Sequence, residues 1–312
     1  MKRTKSKIDS ASEIVNGCGL RLRLDQQLDS RGRTFKAFHR QAKMHRCVRI
    51  MDFATRTKQR LDALRRVDDH EQIVPGIIDV RRAKDKLVLV TKWVAGNSLR
   101  QYLNAGSEGR HGGISLHQSL VMFGTFTNHL SSLHRSGFIV HGDIKPENIV
   151  IAKRRTWKMM LVDFGSSWGA ERSMHRDRGD GVTPVYAAPE CQSKDSKSAN
   201  YLSDQFSASV VLFEMLTGEI PYARLGGAVG NKPIGLENPS EMLLDKTRYP
   251  QQVLANVDEL IHRGLSLEPS QRFTGSREWC SAAYRAVDSL NRNNNAQPSG
   301  MSLKDRWKIL WQ

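Results

Sequence analysis

Apolar positions along this chain follow two rhythms. In the first third they cluster in short β-rich runs. Arg46-Cys47-Val48-Arg49-Ile50-Met51 and Leu87-Val88-Leu89-Val90-Thr91 are the clearest of these and predict strands. Between them, Ala54 to Val67 carries helical spacing, with Leu61, Leu64 and Val67 on one face. Trp93-Val94-Ala95-Gly96-Asn97-Ser98-Leu99 reads as a hinge from a small sheet lobe over residues 21–95 to a larger, mainly helical lobe over residues 96–290. Within the second lobe, Ser207 to Leu216 is a nearly continuous apolar run that predicts a buried central helix. Two shorter apolar segments, residues 137–140 and 159–162, each run directly into polar residues. At both ends the pattern fades. Residues 1–20 read as a basic tail, and residues 291–312 as a polar linker followed by a short amphipathic tail striped by Leu303, Trp307, Leu310 and Trp311.

Composition narrows the setting. The chain has 312 residues, 39% hydrophobic and 26% charged, which suits one two-lobed globular domain with tails. Cys18, Cys47, Cys191 and Cys280 are far apart and form no CxxC pair, so a reducing, cytoplasmic compartment is expected. No apolar run reaches the length of a transmembrane segment, and the basic start Met1–Lys7 leads into no apolar stretch of the secretory kind. The net charge of +16 favours acidic partners, and the basic tails offer a docking element to an anionic surface or a partner protein. No zinc-finger or helix-turn-helix pattern accompanies the charge, so no specific nucleic acid is expected.

The chemistry concentrates in His141-Gly142-Asp143-Ile144-Lys145-Pro146-Glu147-Asn148-Ile149-Val150 and, twenty residues after Asp143, in Asp163-Phe164-Gly165. One carboxylate placed to orient or deprotonate a hydroxyl, with a second carboxylate and an amide oxygen to hold magnesium on phosphates, is the kit of phosphoryl transfer. The order HGD-x-x-x-x-N then DFG resembles the catalytic core of the protein-kinase family. The likeness covers about residues 25 to 290 and is stronger in the second half. Thr183-Pro184-Val185-Tyr186-Ala187-Ala188-Pro189-Glu190 resembles the segment that closes a kinase activation loop, and Ser203-Asp204-Gln205-Phe206-Ser207 the start of the central helix. Arg272 matches the buried arginine that pairs with the glutamate at Glu190.

The resemblance implies an α+β, two-lobed protein-kinase-like fold, its small antiparallel-sheet lobe carrying one helix, with ATP and Mg2+ bound between the lobes. It implies Asp143 as the base, Lys145 as the charge on the moving phosphoryl, and Asn148 and Asp163 as metal ligands. Lys145 and Thr183 point to the Ser/Thr branch, hence to a protein substrate with a serine or threonine acceptor. Gly142 stands where many kinases place an arginine that grips a loop phosphate, which implies activity independent of phosphorylation at Ser166, Ser167 or Ser173.

The small lobe departs from the pattern. Aligning residues 46–49 with the family's V-A-I-K strand puts Cys47 over adenine and Arg49 at the lysine, the expected α/β-phosphate contact. Gly32 then fits the last glycine of the phosphate-covering loop, while the two earlier glycines fall on Gln27 and Asp29, whose side chains hinder close backbone approach. Thr34 is expected above the adenine and Val150 beneath it. The resemblance likewise places Thr91 at the back of the pocket and Trp93 and Val94 in the hinge backbone. Arginine is a broad fork where lysine is a compact charge, and the only acid of the Ala54–Val67 helix is Asp62. Two other readings therefore stand beside an active Ser/Thr protein kinase. One is a pseudokinase acting as scaffold or allosteric binding module, the other a small-molecule phosphotransferase, whose catalytic loop is also written HGD-x-x-x-x-N.

Overall fold

The computed structural model describes residues 6–53, 73–107, 114–137, 139–153, 157–164, 168–169, 183–192, 200–230, 232, 234–243 and 246–294. The chain divides into two compact units, residues 1–95 and 96–312.

In the first unit, helix α1 (Lys7–Gly17) precedes five strands: β1 (Leu22–Gln27), β2 (Thr34–His39), β3 (Met44–Asp52), β4 (Ile77–Ala83) and β5 (Lys86–Lys92). They pair antiparallel in the order β1-β2-β3-β5-β4. Directly opposed residues share a face: Thr34 faces Arg49, Cys47 faces Thr91 and Val48 faces Val90. The apolar face, built from Leu22, Leu24, Phe35, Ala37, Val48, Ile50, Val88 and Val90, is closed by Ala11 and Val15 of α1. Residues 7–17, expected as part of a basic tail over residues 1–20, are thus a packed helix. Its start is fixed by a capping box, Ser6 accepting from the Asp9 N–H and Asp9 from the Ser6 N–H. Gly19, at φ +71°, supplies the left-handed turn that releases the chain toward β1.

The second unit opens with β6 (Gly96–Ser98) and α2 (Leu99–Ser107), followed by the long α3 (Leu116–Gly137), β7 (Ile139–Val140), β8 (Ile149–Lys153), β9 (Trp157–Leu161) and β10 (Trp168–Gly169). Helices α4 (Tyr201–Thr217), α5 (Pro239–Met242), α6 (Gln251–Gly264) and α7 (Ser276–Asn294) complete it. Strands β6, β8 and β9 form one small sheet, and β7 pairs with β10. The expected hinge residues Gly96–Leu99 are therefore strand and helix start. The expected linker residues 291–294 are the last turn of α7.

Helix α4 is the axis of this unit. Asn200 caps it by accepting from the Leu202 N–H, Gly218 at φ +75° ends it, and every residue from Ser203 to Thr217 is buried. At Gly264 on α6 a Cβ would collide with Ser209 of α4, so glycine there permits the close helix crossing. Helix α7 packs on α3, with Trp279 edge-on to Phe123 at 6.0 Å. Among the described residues no helix is long and apolar enough to cross a membrane. The expected Ala54–Val67 helix with Asp62, residues 165–167 and 173, and the stripe at 303–311 lie outside the described residues.

Candidate active site

The loop after β7 is anchored from beneath. Asp204, buried at the start of α4, accepts from the backbone N–H of His141 at 2.7 Å and of Gly142 at 2.9 Å, and bonds His134 Nε2 of α3 at 2.9 Å. Burial alone would raise the Asp204 pKa. The His134 hydrogen bond, the electrostatic influence of the two neighbouring histidines and the Gly142 N–H outweigh it and hold the carboxyl below its ordinary range. Gly142 adopts φ +77°, a conformation that favours a residue without Cβ. His141 is fully buried, edge-on to Phe164 at 4.6 Å, and burial lowers its pKa.

Above this anchor, Asp143, Lys145 and Asn148 converge. Lys145 Nζ donates to Asp143 Oδ2 at 2.8 Å and to Thr183 Oγ1 at 2.9 Å. Asn148 Nδ2 donates to the Asp143 backbone oxygen at 2.9 Å and to Asp143 Oδ2 at 3.0 Å. Both amide N–H groups are thereby turned to Asp143, and the remaining polar atom of Asn148 is its oxygen. The Val162 N–H donates to the Asn148 carbonyl at 2.8 Å, which fixes Asp163, the next residue, beside this loop at φ +65°. Aspartate tolerates that left-handed conformation better than most residues.

The Thr183–Glu190 segment is tied down at both ends. Thr183 holds Lys145, and Glu190 takes two bonds from the buried Arg272 guanidinium, at 2.7 and 2.9 Å, plus one from Ser203 Oγ at 2.9 Å. Arg272 also donates to the carbonyls of Leu202, Ser266 and Leu267. Midway, Tyr186 Oη donates to Glu214 Oε2 at 2.6 Å and is itself bonded by Arg100.

In the first unit, strand alternation gathers Thr34, Cys47, Arg49 and Thr91 on the face opposite α1. Arg49 Nη1 donates to Thr34 Oγ1 at 3.4 Å. The β1–β2 turn, where a glycine-rich loop would lie, is held by side chains instead. Asp29 Oδ1 accepts from the N–H groups of Arg33 and Thr34, and Lys7 of α1 donates to the Ser30 carbonyl at 2.8 Å. Gly32 sits in this turn at φ +71°, where a Cβ would come within 2.7 Å of the Lys7 side chain. Trp93 and Val94 follow β5, with Lys36 Nζ 5.0 Å from the Trp93 ring centre. Val150 lies in β8 of the second unit, paired with Ser98.

Sequence reasoning missed the roles of Lys7 and Arg100. Each acts on a partner at least 23 residues away in sequence, and no local spacing rule reports such pairs.

The model of the protein kinase domain family matches residues 30–285. The chain is 29% identical over 235 residues to the serine/threonine-protein kinase pkn3 of Myxococcus xanthus, an alignment covering 71% of this chain and 40% of that one. It is 27% identical over 237 residues to the CBL-interacting protein kinase 22 of Oryza sativa, covering 74% and 48%. It is 34% identical over 135 residues to the probable serine/threonine-protein kinase pknA2 of Bifidobacterium longum, covering 43% and 16%. The chain thus spans about half the length, or less, of the curated relatives it matches. With a family match over most of its length, and with the loop anchored on Asp204 and the Glu190–Arg272 pair in place, the chain belongs to the protein kinase family.

Proposed function

We propose that this chain transfers the γ-phosphoryl group of ATP to a serine or threonine hydroxyl of a protein, with Mg2+ as the counter-ion. One observation carries the reading: Lys145 Nζ bridges Asp143 Oδ2 and Thr183 Oγ1. The cation is thereby held at the carboxylate that receives the acceptor hydroxyl, where charge on a moving phosphoryl develops. Asp143 orients the hydroxyl and takes its proton. Its backbone position is set by the loop anchored on Asp204, and one of its carboxylate oxygens is fixed by Lys145 and Asn148.

The donor set fits magnesium, which takes oxygen ligands: the Asn148 amide oxygen and the Asp163 carboxylate are the two assigned to it. Mg-ATP supplies the transferable group and shields its charge. In the first unit, the face bearing Thr34, Cys47, Arg49 and Thr91 is the one assigned to nucleotide, with Gly32 in the turn, Trp93, Val94 and, in the second unit, Val150 as further contacts. Arg49 is the α/β-phosphate contact in this reading. A cytoplasmic setting agrees with four cysteines that form no disulfide.

The test is thermal unfolding with and without Mg-ATP, joined to a phosphotransfer assay. Ligand at ~100 times its dissociation constant adds about 2.7 kcal/mol, which raises Tm by about 5–11 °C for a domain of this size. Wild type shifts and phosphorylates protein. Asp163→Ala loses the shift, and Asp143→Asn keeps it but loses transfer. A wild type that neither shifts nor transfers overturns the proposal in favour of a scaffold.

A further inference from the structure

Helix α1 precedes the residues that match the kinase family, yet its first residue reaches the β1–β2 turn. Lys7 lays its stem across Gly32, where a Cβ would meet Lys7 Cδ at 2.7 Å, Cβ at 3.3 Å and Cγ at 3.4 Å. Its Nζ then donates to the Ser30 carbonyl at 2.8 Å. The helix that carries Lys7 is itself fixed. The Ser6–Asp9 capping box sets its start, and Ala11 and Val15 are buried on the sheet.

Inside the turn most backbone donors are taken. Asp29 Oδ1 accepts from the Arg33 and Thr34 N–H groups at 2.8 and 2.7 Å, and the Gly32 N–H donates to the Asp29 carbonyl at 3.2 Å. Between Asp29 and Thr34 this leaves the N–H groups of Ser30 and Arg31, two exposed residues, with no partner among the described residues. Successive N–H groups of a turn are the donors that cradle an anion such as phosphate. A planar trans peptide points its C=O and its N–H in opposite directions. Lys7 takes the Ser30 oxygen, so the N–H of the same peptide, that of Arg31, points away from Lys7 and α1. The sheet face away from α1 is the one bearing Thr34, Cys47, Arg49 and Thr91. A cation on the carbonyl also polarises the peptide and strengthens its N–H as a donor.

A glycine-rich turn fits phosphates through its backbone freedom, and Gln27 and Asp29 remove that freedom here. The order is supplied beforehand instead, by Asp29 from within and Lys7 from the helix. We propose, on the kinase reading above, that Lys7 is a positioning residue for the nucleotide phosphates. Docked α1 fixes the Ser30–Arg31 peptide so that its N–H serves a phosphate oxygen on the sheet face away from the helix. Docking of α1 and binding of a phosphate-bearing nucleotide are then linked, and each strengthens the other.

Binding of Mg-ADP and of adenosine to the full chain is measured for wild type, Lys7→Met and Lys43→Met. Methionine keeps a stem over Gly32 and removes the donor. Lys43, between β2 and β3 at the other end of β2, controls for the loss of one positive charge. Lys7→Met binds Mg-ADP about three- to tenfold more weakly, the scale of one hydrogen bond, and binds adenosine as wild type does. Lys43→Met changes Mg-ADP binding less than about twofold at ~0.15 M salt, where distant charges are screened. In phosphotransfer, KM for Mg-ATP rises in Lys7→Met while KM for the peptide stays unchanged. Amide exchange supplies the reciprocal arm: Mg-ADP slows exchange at Ala11 to Val15 in wild type and not in Lys7→Met.

A Lys7→Met that loses no more Mg-ADP affinity than Lys43→Met overturns the proposal. So does an equal loss for adenosine, which would make the contact structural only. An α1 that exchanges at one rate with and without Mg-ADP overturns it as well. Each of these leaves the kinase reading standing, because wild type still binds nucleotide. A wild type that binds neither Mg-ADP nor Mg-ATP removes the kinase reading, and the positioning role of Lys7 falls with it.

Discussion

Truncating Val15 to alanine tests whether α1 is an integral layer of the small unit. Val15 is fully buried against the apolar face of the five-stranded sheet, together with Ala11. Val15→Ala deletes two methyl groups, worth roughly 1.6 kcal/mol at about 0.8 kcal/mol each. The groups around Val15 belong to α1 and to a hydrogen-bonded sheet, so they collapse poorly. An unrelaxed void of order 40 Å3 adds about 1 kcal/mol. The expected loss is about 2.6 kcal/mol, or a fall in Tm of about 5–10 °C. The assay is thermal and urea unfolding, with amide exchange followed in β1 to β3. Exchange should quicken there, because the same helix holds the β1–β2 turn through Lys7 and Ser30. Asn16→Ala, on the exposed side of the helix, is the control and should stay within about 0.5 kcal/mol. A Val15→Ala loss no greater than that control would refute the packing argument and return residues 7–17 to the status of a tail.

Two further outcomes are expected. Arg272→Ala removes the cation from the Glu190 carboxylate, leaving it the Ser203 hydroxyl, and takes the donor from three carbonyls, so it should cost about 3–5 kcal/mol, whereas Arg272→Met with Glu190→Gln should cost clearly less. Urea titrations showing equal damage would contradict this. His129 of α3 is lowered to about 4 by burial, with the Lys158 charge adding to the effect. Above pH ~6.5 both states are neutral. As pH falls toward 4, the unfolded chain takes a proton that the folded one refuses. Stability should therefore drop on acidification by up to about 3 kcal/mol between those limits. His129→Phe should flatten that slope, and an unchanged slope in the variant would remove His129 as its source.

The candidate site was legible in the sequence wherever geometry is carried by the chain itself. Asp143, Lys145 and Asn148 lie within six consecutive residues, so a fixed loop conformation brings them together without help from distant partners. Strand alternation likewise put Thr34, Cys47, Arg49 and Thr91 on one face once the β3 register was chosen. Helix α1 was illegible because only Ala11 and Val15 of its eleven residues are fully buried, and its polar majority reads as solvent-exposed. The strand at Gly96–Ser98 exists because β8 pairs with it, a partner more than fifty residues on, and nothing local announces that. Arg100 was missed for the same reason: its three partners, at 147, 186 and 214, are gathered only by the fold.

The Asp204 anchor also decides how this protein should wear out. Surface ion pairs weaken gradually with salt, since counter-ions screen them over a Debye length of ~10 Å at 0.1 M. Asp204 is wholly buried, so dissolved ions do not reach it. The backbone of His141 and Gly142 keeps its place for as long as α4 keeps its own. Catalytic-loop geometry is therefore stored in the core, and inactivation by heat or denaturant should coincide with melting of the helical unit instead of preceding it. Most active sites that depend on a mobile loop lose function first and structure later; here the two failures should be one event.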